Sequence, residues 1–70
     1  MSKWGAAKAK RVFNTLLRIG WAIKRSSGSH FTLGREGWPD YTWAFHGDVE
    51  IGPTMMSRIA RNTGLKPEDL

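Results

Sequence analysis

Cysteine is absent from these 70 residues, which excludes a disulfide scaffold and any thiolate-ligated zinc site. No apolar run approaches the length that crosses a bilayer, and no signal-peptide pattern opens the chain. No membrane partner is therefore expected, and a reducing cytoplasm is the expected compartment. Internal repeats, low-complexity tracts and interdomain linkers are also lacking, so residues 1–70 are expected to form one domain. A domain of this size buries only about 60% of the surface its unfolded chain exposes. With no covalent staple, the core must come from Val12, Phe13, Leu16, Leu17, Ile23, Phe31, Leu33, Phe45, Ile59 and the four tryptophans.

Acidic residues are missing altogether from the first 25 positions, which hold Lys3, Lys8, Lys10, Arg11, Arg18, Lys24 and Arg25. Residues 26–70 carry four basic residues against six acidic ones, so the net charge of +5 divides into +7 and −2. A half of one sign concentrates a polyanion near it, and phosphate contact is the function class this charge distribution favours over a merely solvated helix face.

Along the chain, Ala9, Val12, Phe13, Leu16 and Leu17 recur at spacings of three and four. This predicts a helix over about residues 5–19 that Gly20 terminates, with the cations off its apolar stripe. Trp21 to Arg25 switches to a period of two and reads as a strand with Trp21 and Ile23 inward. Ser26-Ser27-Gly28-Ser29 is turn chemistry, with Gly28 free to take positive φ. His30 to Leu33 forms a second strand, with Phe31 and Leu33 on one face and His30 and Thr32 on the other. Gly34 to Asp40 reads as a hairpin loop in which Trp38 is exposed, and Tyr41 to His46 as a third strand. Gly47 to Gly52 reads as a loop, and Pro53 suits the first position of a closing helix. Met55, Met56, Ile59, Ala60 and Thr63 form that helix's apolar stripe, Gly64 ends it, and Pro67 to Leu70 begins one further turn. The order is α-β-β-β-α. The expected fold class is α+β: a two-layer sandwich, with a three-stranded antiparallel sheet covered on one face by two helices.

Placing Phe31 opposite Phe45 sets Leu33 opposite Trp43 and His30 opposite His46, so both histidines would share the open face. A two-residue slip would keep the faces and move His46 diagonally away. RNA scission by internal attack needs a base for the 2′-hydroxyl, an acid for the departing 5′-oxygen and positive charge near the phosphate. Histidine titrates close to neutrality and serves either proton-transfer role. His30, with His46 as helper and Arg25 or Lys24 for charge, meets that requirement. Lys10, Arg11, Lys24, Arg25 and Ser29 are the candidate RNA contacts. Two histidines without a third ligand make a poor zinc site, so neither metal nor cofactor is expected.

Leu17-Arg18-Ile19-Gly20-Trp21 followed by Arg25-Ser26-Ser27-Gly28-Ser29-His30 resembles the helix end, first strand and Gly-Ser-His signature of the HicA family. Glu50-Ile51-Gly52-Pro53, the run Met56 to Leu65, and Pro67-Glu68-Asp69-Leu70 resemble its closing segment. The resemblance covers roughly residue 10 to the end. It implies a toxin of a type II toxin–antitoxin pair, with a double-stranded-RNA-binding-domain-like topology. It also implies cleavage of mRNA and neutralisation by a HicB-type antitoxin. By the same resemblance His30 is the catalytic residue, while Gly28 and Ser29 shape the turn before it. The aromatic run Trp38 to Trp43 departs from the more polar hairpin of the family. Against a ribonuclease stand a non-catalytic RNA-binding module, a truncated helix-turn-helix in residues 59–65, and a basic scaffold without chemistry.

Overall fold

The computed structural model describes residues 4–70. A two-residue strand β1 (Ala7–Lys8) leads into helix α1 (Ala9–Arg18). Strands β2 (Ala22–Ser27), β3 (His30–Arg35) and β4 (Trp38–Trp43) follow, then a short β5 (Glu50–Ile51), helix α2 (Pro53–Thr63) and a 3-10 helix (Pro67–Asp69). Strands β2, β3 and β4 form an antiparallel sheet in that order, and β1 pairs with β5 in a second, two-stranded ladder. The α+β arrangement of a three-stranded antiparallel sheet with two helices is thus the observed fold.

Both helices form where their apolar spacing requires. Ala9, Val12 and Leu16 of α1 and Met56 and Ile59 of α2 are fully buried against Leu33 and Trp43 of the sheet. Met55, placed in the stripe by its sequence position, is exposed instead. No side chain caps the start of α1. The backbone carbonyls of Val49 and Gly47 accept from the N–H groups of Ala9 and Lys10, at 2.8 and 3.0 Å, satisfying two donors that a helix start leaves unpaired. The 46–49 segment and the β1–β5 ladder therefore shorten the helix expected from residue 5 to a start at residue 9. At the other end, Pro53 opens α2 and Gly64 closes it at φ +76°, as Pro-first and Gly-last chemistry dictates. Buried Trp21 donates its indole N–H to the Thr63 carbonyl at 3.0 Å, joining the start of β2 to the end of α2.

Three features of the sheet differ from the sequence reading. Both hairpins are tighter, with loops of two residues, Gly28-Ser29 and Glu36-Gly37. Ser26, Ser27, Gly34, Arg35 and Trp38 to Asp40 are consequently strand rather than loop. Register is set by those turns: Phe31 lies opposite Trp43, and Leu33 opposite Tyr41. Finally, each hairpin contains a bulge. Lys24 is an extra residue between the pairs Ile23–Leu33 and Arg25–Thr32. Pro39-Asp40 stands opposite the single Gly34, where the missing proline N–H breaks no ladder bond. Ile23 shares the row of Leu33 but is 48% exposed, because it lies on the outermost strand. Burial of Tyr41, in that same row, raises its phenol from the ordinary value of 10.0.

Candidate functional site

His30 is the first residue of β3 and follows directly from the two-residue turn Gly28-Ser29. Gly28 holds φ +61°, and no other residue type does so in the described chain. Glycine at the first loop position with positive φ matches a II′-type hairpin, whose twist fits the flanking strands. Because Phe31 and Leu33 face the helices, alternation turns His30 and Thr32 to the opposite, open face. His30 is exposed there and pairs across the ladder with Ser27.

The Lys24 bulge decides what surrounds it. Strict alternation from inward Ile23 would point Arg25 inward as well. The extra residue resets the phase, so Arg25 pairs with Thr32 and shares its face. Arg25 and His30 are therefore diagonal neighbours on the open side of the sheet, a relation that long side chains can bridge. Thr42 completes the row Arg25–Thr32–Thr42. Lys24 is engaged elsewhere. Its stem crosses Gly34, and its ammonium meets the Asp40 carboxylate at 2.9 Å, with both groups about half exposed. This is the sole ion pair among the described residues.

The expected opposition of the histidines does not form. With Phe31 opposite Trp43, the ladder is displaced by two residues, and β4 ends before His46 is reached. His46 lies in the following loop, where its carbonyl accepts from the Val49 N–H at 3.1 Å. Lys10 and Arg11 also stand apart from His30, on α1 in the helical layer. They line a groove with Lys8, Asn14 and Arg18, and Arg18 donates to the Asp69 carbonyl. Lys8, Arg11 and Arg18 recur at helical spacing, a signal that would have added Lys8 and Arg18 to the candidate contacts. The place of Thr42 opposite Thr32 follows from the register, which is displaced by two residues from the expected one, and Asp40 fell within the expected loop Gly34 to Asp40. Among the described residues no three His, Asp or Glu side chains converge as metal ligands.

A family model described as the HicA toxin of bacterial toxin–antitoxin systems matches residues 9–65. The chain belongs to the HicA toxin family. Membership makes it the toxin component of a toxin–antitoxin system, with an antitoxin as counterpart. Neither the comparison with curated proteins nor that with solved structures yields a match. In this HicA chain the matched span runs from the first residue of α1 to Leu65, just past α2. It includes His30, Arg25 and the glycine turn. Among the described residues no helix is long and apolar enough to cross a membrane.

Proposed function

We propose that this HicA toxin is an endoribonuclease that cleaves mRNA with His30, without a cofactor, and that a HicB-type antitoxin neutralises it in the cytoplasm. The observation that carries the proposal is the exposed imidazole on the open sheet face, with Arg25 turned to the same side by the Lys24 bulge. His30 takes the proton of a ribose 2′-hydroxyl as that oxygen attacks the adjacent phosphorus. The bond from phosphorus to the 5′-oxygen breaks, and the departing oxygen is protonated by the imidazolium or by water. Arg25 stabilises the charge that accumulates on the non-bridging phosphate oxygens. Ser29 at the turn and Thr32 beside the imidazole offer hydroxyls to the RNA backbone. Lys24, held by Asp40, contributes less, and His46 is assigned no step. The order of helix, three strands and helix supports reading the fold as like a double-stranded-RNA-binding domain. Lys10 and Arg11 on α1 then hold the polyanion away from the reacting phosphate.

The test is His30→Ala. Removing the proton-transfer group should lower RNA cleavage by about 10²–10⁴-fold and abolish growth arrest, with an unchanged circular dichroism spectrum and melting temperature. Cleavage at the wild-type rate would overturn the assignment. RNA retention by the wild-type chain without scission would favour a binding module instead.

A further inference from the structure

Beside the basic groove on α1 is a second concavity of a different character, a cavity of about 220 Å³ walled by Phe13, Phe31, Trp43 and Phe45, with Lys10 and Gly47 at its margin. Its rings hold one another at angles. Phe13 lies 5.2 Å from Phe31 and 5.6 Å from Trp43, and Trp43 meets Phe45 edge-on at 5.1 Å. Trp43 is buried, whereas Phe13, Phe31 and Phe45 are only half-buried, so aromatic surface remains available to an incoming planar group.

We propose that this cavity takes an unpaired base of the RNA, one nucleotide or more away from the phosphate that is cut. The inference rests on the RNA-cleaving reading and adds to it a base-binding site. Charge complementarity selects the occupant. Lys10 borders both this aromatic cavity and the cationic groove shared by Lys8, Arg11 and Arg18. A ligand that satisfies both must carry flat apolar rings on an anionic backbone, which is the chemistry of single-stranded RNA. Position agrees with this. Phe31 is the residue after His30, and successive strand residues point to opposite faces, so cavity and imidazole occupy two sides of one end of β3. β4 has ended at Trp43, and the exposed Ala44 lies just beyond it. Of the aromatic run Trp38 to Trp43, Trp43 alone lines this cavity.

The test uses the full chain carrying His30→Ala, so that RNA is bound but not consumed. Fluorescence anisotropy compares a labelled single-stranded RNA with an abasic oligoribonucleotide of the same length. The base-bearing RNA should bind about tenfold more tightly, as expected for one stacked base. Adding Phe45→Ala should erase that preference while leaving affinity for the abasic strand unchanged. Phe45→Leu, which keeps the cavity filled with apolar atoms, should erase it as well and guards against a folding defect. Lys10→Gln should weaken both probes together. Preference that survives both Phe45 substitutions would overturn the proposal, as would equal loss for both probes. It would also fall if Phe45→Ala abolished antitoxin binding and left RNA preference intact. Failure of the cleavage reading is distinguishable: wild-type protein would then leave RNA uncut, whatever its preference between the two probes.

Discussion

Gly28 and Gly64 both hold positive φ, at +61° and +76°, yet they answer to different constraints. A Cβ on Gly28 would meet nothing within 4 Å, so Gly28→Ala costs only the backbone strain of a positive φ. A Cβ on Gly64 would stand 2.9 Å from the Trp38 ring as well. Gly64→Ala should therefore lower the melting temperature more than Gly28→Ala does, and thermal denaturation of the two variants checks the order. Both glycines were legible as turn and terminator from the sequence alone. The neighbour of Gly64 was not. Trp38 reads as an exposed loop aromatic, and it does remain 37% exposed. The two-residue turn nevertheless makes it a strand residue that lies across the end of α2, 6.1 Å from Trp21 and beneath the Arg35 guanidinium. Nothing in residue type announces such a contact, because it depends on a turn length that composition leaves open.

At the scale of elements, the same turn length explains why the faces of the strands were legible and their register was not. Shifting a strand by two residues changes no side chain's face. Phe31, Leu33, Tyr41 and Trp43 therefore point inward as their alternation requires, while the partner of His30 cannot be read from alternation. The Lys24 bulge is similarly silent in the sequence, since an extra residue in a polar strand alters no hydrophobic pattern. It has a measurable consequence. Arg25→Ala should reduce RNA cleavage by about 10²-fold, the scale for removing one group that stabilises developing charge. Lys24→Ala should keep most of the activity, because its ammonium is already committed to Asp40. Neither Lys24→Ala nor Asp40→Ala should change stability by more than about 1 kcal/mol, as befits an exposed pair. Single-turnover cleavage rates and denaturant midpoints separate these outcomes.

For the whole molecule, the division of charge seen in composition becomes a division of surfaces. The imidazole and Arg25 occupy the open side of the sheet, whereas Lys8, Lys10, Arg11 and Arg18 gather along α1 in the helical layer. An RNA that reaches both must be flexible enough to pass around the protein, and the groove then acts on binding rather than on chemistry. Arg11→Gln should weaken binding of single-stranded RNA and reduce the slope of log affinity against log salt by about 0.7. The cleavage rate at saturating RNA should be retained. Anisotropy titrations over a series of salt concentrations, paired with single-turnover kinetics, check both halves of that expectation. The +7 and −2 halves were legible as charge, and the helical layer as the place of much of it. That the histidine would stand on the other side followed only from the sheet.

The two bulges have one more consequence, for the company the protein keeps. β2 and β4 are the rims of the sheet, and each is interrupted partway, at Lys24 and at Pro39-Asp40. A neighbouring chain seeking to extend the sheet finds no straight rail of free amides and carbonyls on either side, only a kink bearing charge or proline. Both rims thus carry the features that blunt edge-to-edge pairing between sheets.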